Sequence, residues 1–250
     1  MSAPAPRMTH PVGAALAAQY RLVLGSTSPR RREILSTLGI DYAVASPDCD
    51  EDLDKAQYAA PDAYVLATAR LKAAALQADA AQRAQAAAAQ AARGTPTLVM
   101  TADTVVVMPP AARAAADAAV CGNALGILEK PRDAAHARAM LAALAGQTHE
   151  VLTALVVRQL PSPAGGADAE LVATVTRTHV TFRPLAPDAI AAYVATGEPL
   201  DKAGAYGYQG LGACLVAGIH GCYYNVVGLS LSAVLDAFET ILRSTPDATT

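Results

Sequence analysis

The sequence predicts an α/β protein, and three stretches carry that expectation. Leu22-Val23-Leu24-Gly25 is an apolar, strand-like run that turns through Ser26-Thr27-Ser28 into a helix opened by Pro29. Residues 98–107 form a nearly continuous apolar run of the kind found where both faces of a sheet are covered. Residues 150–158 and 171–182 are β-rich and are separated by a Pro/Gly-rich stretch at 161–166, the pattern of a long hairpin. A chain of 250 residues suits one sizeable domain or two lobes sharing a cleft.

The first of these stretches organises the rest. Ser28 is placed to cap a helix in which Ile34, Leu35 and Leu38 turn toward a core, and Gly39 suits a left-handed stop. Three consecutive arginines, Arg30 to Arg32, then fall in the first turn, where the helix dipole and the unpaired N–H groups already favour an anion over a cation. Without an anion this is a solvated basic helix end. With a phosphate, the free N–H groups, the hydroxyls of Ser26 and Ser28 and the forks of Arg30 and Arg31 are satisfied together.

A short strand is expected at 42–45, and it runs into 48–54, where five of seven residues are acidic. Such a run is either a solvated acidic loop or, beside a phosphate, a source of carboxylates such as Glu51 for Mg²⁺. A helix is expected over 61–93, patterned at first and then an alanine and glutamine run that looks lengthened and exposed; Lys72 lies on its better patterned part. Asp103 falls in the middle of the apolar strand 98–107. A carboxylate there costs several kcal/mol unless paired, hydrogen-bonded or on a metal. A bulge or a strand end at a cleft would account for it, with Asp103 as metal ligand or general base, or as a carboxylate satisfied by nearby amides.

Residues 108–124 are expected as a loop or insertion. Leu128-Glu129-Lys130-Pro131 precedes a helix at 133–145 ended by Gly146, which sets Lys130 just before a helix start. A helix from Pro187 is closed by Gly197 and Pro199, and the polar, glycine-rich run 201–210 follows. Its glycines would let backbone approach a ligand, and its Tyr and Gln side chains would stack on or bond a planar base. A strand at 214–219, a turn at His220-Gly221 and an amphipathic helix ending near 242 complete the chain.

Composition narrows the function classes. A net charge of -3 gives no global field for nucleic acid, so a small anionic ligand fits the local arginines better than a polymer. The cysteines Cys49, Cys121, Cys214 and Cys222 show neither a CxxC pair nor zinc spacing, which points to free thiols in a reducing cytoplasm. No segment reaches the roughly 20 apolar residues of a membrane span. Residues 1–20 and 244–250 are expected as unstructured tails flanking a single domain at 21–243.

In combination, Ser26-x-Ser28-Pro29-Arg30-Arg31, Ala102-Asp103-Thr104, Leu128-Glu129-Lys130-Pro131, the run from Asp201 to Gly210 and Asn225-Val226-Val227-Gly228-Leu229 resemble the Maf proteins, which are nucleoside triphosphate pyrophosphatases. The motifs run in that family's order from Arg21 to about Phe238. The resemblance implies an α/β/α body of two lobes around an elongated mixed sheet, similar to inosine triphosphate pyrophosphatases, with the site in the cleft. It also implies a divalent cation, Mg²⁺ or Mn²⁺, and a homodimer. The Ala-Asp-Thr and Asp-Lys-Ala-Gly-Ala-Tyr versions look like the branch acting on dTTP and UTP, with modified pyrimidine nucleotides as an extension of that range. Alternatives are the same chemistry on another modified or purine base and a non-catalytic nucleotide-binding regulator of cell division. Carried over by position, Asp103 would be the proton acceptor, with Glu51 and Asp103 at the metal. Ser26, Ser28, Arg31, Lys72 and Lys130 would hold the triphosphate, and Arg30, Thr104 and Gln209 would set base specificity. The chain departs from the family pattern in its lengthened alanine helix, in extra residues around 109–123, and at Tyr208, where relatives often carry a smaller aliphatic.

Overall fold

A computed structural model describes residues 9–87, 95–115, 120–161 and 168–244. The chain folds into a seven-stranded mixed sheet with helices on both faces. Strand β1 (Arg21–Gly25) pairs in parallel with β2 (Ala43–Ala45) on one side and with β3 (Thr97–Val107) on the other. The strands β5 (Thr148–Gln159), β6 (Ala169–Phe182) and β7 (Val216–His220) extend the sheet beyond β3 in antiparallel order, and the two-residue β4 (Ile127–Leu128) pairs with the end of β3. The mixed sheet and the long hairpin of β5 and β6 are those expected from the sequence; the connection at 162–167 lies outside the described residues.

One detail of this topology positions the site. On the β1 side, β3 is paired to β1 only as far as Thr101, and β4 takes up pairing at Val106. The stretch from Ala102 to Val105 therefore has an open edge on that side, while β5 continues unbroken along the other. Because side chains alternate across a strand, Asp103 and Thr104 leave this gap toward opposite faces and can both reach the space beyond the end of β1.

Two apolar clusters on one face of the sheet make the two lobes. In the first, Leu16 of α1 (Pro11–Gln19), Ile34 and Leu35 of α2 (Pro29–Ser36) and Val234 and Phe238 of α8 (Leu231–Ser244) close over Leu24, Met100 and Ala102. In the second, Met140 and Leu141 of α5 (Ala134–Leu144) and Ile190 and Val194 of α6 (Pro187–Ala195) pack with Val106, Val151 and Phe182. On the opposite face α3 (Pro61–Ala87) lays Tyr64, Val65, Ala69 and Ala73 on Val105, Leu152, Ala154 and Val156. Burying each of the larger aliphatics contributes about 1.5–3 kcal/mol, so each helix is fixed by a few such contacts.

Several local expectations are corrected. Residues 11–19, expected within an unstructured tail, form α1: Pro11 opens it, the His10 side chain accepts from Val12 N at 3.3 Å, and Leu16 is fully buried. A single buried leucine among alanines gives no periodic signal, which is why the sequence did not show the helix. Within 108–124, residues Pro110–Ala115 form the short helix α4, and Arg113 donates to the carbonyl of Ala124 at 2.7 Å. The expected strand at 214–219 begins later, because Leu211–Leu215 is a 3-10 turn, and Tyr223–Val227 forms the short helix α7. The expected helix 61–93 is described as far as Ala87, and its remainder lies outside the described residues. Among those residues no helix is long and apolar enough to cross a membrane, and Cys49, Cys121, Cys214 and Cys222 are unpaired.

Candidate active site

A cavity of about 630 Å³ lies at the open edge of β3, between the two lobes. This is where the crevice of an α/β sheet is expected, beyond the carboxyl end of a parallel strand. Ser26, Ser28, Arg30, Arg31, Glu51, Lys72, Asp103, Thr104, Lys130 and Gln209 all line it. These residues come from six separate parts of the chain, and the fold brings every one of them to a single space.

The first wall is the start of α2. Ser28 Oγ accepts from Arg31 N at 3.4 Å and so caps the helix, while Ser26 Oγ accepts from Ser28 N at 3.2 Å. Both oxygens thus shape the turn, and each hydroxyl keeps its own proton for donation. Arg31 crosses the site: Nε donates to the carbonyl of Gly228 at 2.8 Å and a terminal nitrogen donates to Thr104 Oγ1 at 3.0 Å. Burial lowers the Arg31 guanidinium from its ordinary value, opposed by the carboxylates of Asp103 and Glu51. Two of its five N–H donors are used in holding the side chain.

The Thr104 hydroxyl, expected at the base, is engaged beneath Arg31. It lies 3.0 Å from Thr153 Oγ1, which donates to the carbonyl of Asn225 at 3.0 Å. Asn225, fully buried, donates in turn to the carbonyl of Val151 and to Thr178 Oγ1, both at 3.0 Å. This network fixes the helix α7 and the Gly228 carbonyl that receives Arg31. Sequence reading found the Asn225 motif but not Thr153, whose only signal was a polar residue in an apolar strand.

On the opposite side of β3, Asp103 sits in a regular ladder opposite Ala154, with no bulge and no strand end. Its partner is Lys72 of α3, whose Nζ is 2.8 Å from Asp103 Oδ1 and 2.8 Å from Glu51 Oε2. Lys72 is only 5% exposed, and two of its three N–H donors go to carboxylates, which leaves one for a phosphate oxygen. One ammonium thus draws the two carboxylates together at the cavity wall. As a donor set, two hard carboxylate oxygens suit Mg²⁺ or Mn²⁺. Among the described residues no trio of His, Cys, Asp and Glu side chains converges on one point, so the remaining positions of such a cation would fall to phosphate oxygens and water, which is the usual habit of Mg²⁺.

Lys130 lies in the bend just after β4. Its neighbour Glu129 is held by the Tyr64 hydroxyl at 2.7 Å and by Lys55 Nζ at 3.1 Å, and its carbonyl accepts from Gly204 N at 3.1 Å. Burial and Glu129 both raise the Tyr64 hydroxyl above its ordinary value. Gly204 (φ 67°) and Ala205 (φ 59°) are successive left-handed residues, and a Cβ at Gly204 would meet Val106 at 2.8 Å. For Ala205 that conformation costs about 1–2 kcal/mol, and the tight turn it makes brings Tyr206 and Lys202 to the cavity.

The far end is formed by the loop after that turn. Arg30 Nη1 reaches Asp201 across the cleft at 3.8 Å, and Lys202 donates to Asp201 at 2.6 Å. Gly207 and Gly210 of this loop line the cavity, as expected for backbone that meets a ligand, and the side on which a Cβ would stand is taken by protein. A Cβ on Gly207 would lie 2.5 Å from Lys202 Cε, and one on Gly210 would lie 2.5 Å from Glu198 Oε2. Glu198 gave no signal in the sequence beyond a Gly-Glu-Pro helix stop.

A family model described as Maf-like protein matches residues 21–241. The chain is 45% identical over 213 residues to a dTTP/UTP pyrophosphatase of Anaeromyxobacter sp. (strain Fw109-5), covering 85% of each. It is 46% identical over 214 residues to a dTTP/UTP pyrophosphatase of Moorella thermoacetica, covering 86% of this chain and 91% of the relative. It is 41% identical over 211 residues to one of Shigella boydii serotype 4, covering 84% and 87%. With the motifs gathered on one cavity and the match running through both lobes, the chain belongs to the Maf-like family.

Proposed function

We propose that this protein is a nucleoside triphosphate pyrophosphatase that hydrolyses dTTP and UTP to the monophosphate and pyrophosphate. The observation that carries the reading is the meeting, in one cavity, of the capped arginine-bearing start of α2 with the Lys72-bridged pair Glu51 and Asp103. The relatives named dTTP/UTP pyrophosphatases support the choice of base.

In this reading the triphosphate lies between the amides at the start of α2 and the cations Arg31, Lys72 and Lys130, with Ser26 and Ser28 donating their hydroxyl protons. Glu51 and Asp103 would hold Mg²⁺ or Mn²⁺, which when bound polarises the phosphoryl group. Asp103 takes a proton from water as the water oxygen bonds to the α-phosphorus. The bond from that phosphorus to the bridging oxygen breaks, and pyrophosphate leaves with its charge offset by the three cationic side chains. Gln209, Arg30 and Thr104 set the base preference, and Thr104 also accepts from Arg31. The enzyme acts as a cytoplasmic homodimer, a setting suited to its four unpaired cysteines; sedimentation checks the assembly.

The test is pyrophosphate release by purified protein with Mg²⁺ or Mn²⁺ across dTTP, UTP, CTP and 7-methylated guanine triphosphate, for the parent and Asp103→Asn. The parent should favour dTTP and UTP, and Asp103→Asn should lose about 10³-fold in turnover while still binding dTTP. No release with any nucleotide, or an undiminished variant, overturns the reading.

A further inference from the structure

The loop of residues 206–212 carries Gln209 and Tyr208 into the cavity, yet it contains no helix or strand until the 3-10 turn at Leu211. Its shape has to come from side chains, and one carboxylate supplies most of it. Glu198 Oε1 accepts from the Tyr193 hydroxyl at 2.9 Å and from Gly212 N at 3.1 Å, and Glu198 Oε2 accepts from Leu211 N at 2.9 Å. The same Tyr193 hydroxyl accepts from Gly207 N at 3.2 Å. Both ends of the segment 207–212 are thereby tied to Glu198, one directly and one through Tyr193.

The packing agrees with the hydrogen bonds. A Cβ on Gly210 would fall 2.5 Å from Glu198 Oε2, and one on Gly212 would fall 2.6 Å from the Tyr193 hydroxyl and 2.5 Å from the Gly207 carbonyl. Glycine at these positions lets the loop close directly on the carboxylate. Burial pushes the Glu198 carboxyl up, but the amides of Leu211 and Gly212 and the Tyr193 hydroxyl hold it below its ordinary value. A charged acceptor bound to two amides is stronger than a neutral one, and a neutral amide there would leave a donor facing a donor.

The geometry points to Glu198 as a positioning residue for base discrimination: by tying both ends of 207–212 it fixes Gln209 and Tyr208 at the base end, while the triphosphate end stands independently on α2 and β3. This rests on the pyrophosphatase reading. Its action is through the loop, so a loss of Glu198 should reach the base and not the phosphates.

The experiment uses the full chain, with Glu198→Gln and Tyr193→Phe measured beside the parent. Three readouts are taken: kcat and KM for dTTP and CTP, competitive inhibition by inorganic tripolyphosphate, and the thermal midpoint. In Glu198→Gln the dTTP to CTP preference should shrink about tenfold, chiefly through a raised KM for dTTP. Inhibition by tripolyphosphate should stay within about twofold. Tyr193→Phe, which keeps the packing and removes one tie, should shift the preference in the same direction by about threefold, and it carries the test if Glu198→Gln does not fold. An unchanged preference in a folded variant overturns the proposal. So does a parallel loss of tripolyphosphate inhibition, which would mark general loosening. A parent inactive on every triphosphate overturns the pyrophosphatase reading itself and is seen before any variant is made.

Discussion

The two ends of the cavity are built by different means. At the phosphate end four polar groups project from regular elements, Arg31 from α2, Lys72 from α3, Asp103 and Thr104 from β3, and Ser26, Ser28, Glu51 and Lys130 lie in the connections beside them. At the base end Tyr208 and Gln209 ride on a loop whose form is set by Glu198, Tyr193 and a buried histidine. Backbone hydrogen bonds hold those four positions of the first end, so the loss of one side chain there leaves its own backbone in place. The second is held by a few side-chain bonds, so a change at one of them moves several residues at once. The proposed proton acceptor Asp103 thus leans on a backbone ladder, whereas Gln209 leans on side-chain bonds.

The sharpest way to probe the rigid end is Lys72→Met. It leaves Glu51 and Asp103 facing one another across a mostly buried position with no cation between them. Turnover should fall about 10³-fold through lost charge stabilisation. Stability should fall by about 2 kcal/mol, less than a fully buried pair would lose because Glu51 is half exposed. Added Mg²⁺ should raise the thermal midpoint of the variant more than that of the parent, since the carboxylates then lack a competing partner. Equal Mg²⁺ responses in the two proteins would separate Glu51 and Asp103 from any shared cation.

How much of this was visible in the sequence follows the same division. The start of α2 was legible because three arginines in a first turn break a local electrostatic rule, and Asp103 because a carboxylate in an apolar strand demands a partner. The partner itself was not legible. Lys72 is 31 residues away on a helix whose pattern marks which face is buried but not what lies across from it. The bulge expected at Asp103 is absent for that reason: the ion pair satisfies the carboxylate without distorting the ladder. At the base end, the glycines of 201–210 signal close approach by a ligand, and Gly207 and Gly210 do line the cavity, but on their Cβ side they also let Lys202 and Glu198 close on the loop. Sequence spacing reveals that close approach is needed; it does not say which group approaches. Helix α1 escaped notice because its attachment rests mainly on Leu16.

Arg31→Lys is the next largest change and tests whether geometry or charge matters at the rigid end. Lysine keeps the charge but cannot donate along two fixed directions to the Gly228 carbonyl and Thr104 Oγ1. We expect kcat/KM for dTTP and CTP to fall by the same factor, about 100-fold or about 2.7 kcal/mol, with the ratio between them unchanged. A change in that ratio would mean that Arg31 also acts on the base, and the separation of the two ends would fail.

The smallest effect isolates the adjustable end through proton linkage. Tyr206, at the head of the 206–212 loop, packs edge-on against Phe182, and its hydroxyl lies 2.9 Å from Nε2 of His149, which is 1% exposed. Burial lowers the His149 pKa to about 3. Between that value and the ordinary 6.5 the unfolded chain binds a proton that the folded chain refuses, so stability rises with pH through this window and is level above it. The slope is about 1.4 kcal/mol per pH unit at most, giving about 2 kcal/mol lost at pH 5. His149→Leu removes that proton but leaves the Tyr206 hydroxyl without its partner, at a cost of about 1 kcal/mol near pH 7.5. Denaturant unfolding at the two pH values should therefore find the variant weaker at pH 7.5 and at least as stable as the parent at pH 5. A parent whose stability is level from pH 5 to 7.5 would show that His149 accepts its proton while folded. The Tyr206 hydroxyl would then face a charged imidazole in acid within the folded protein, and the head of the 206–212 loop would carry that charge.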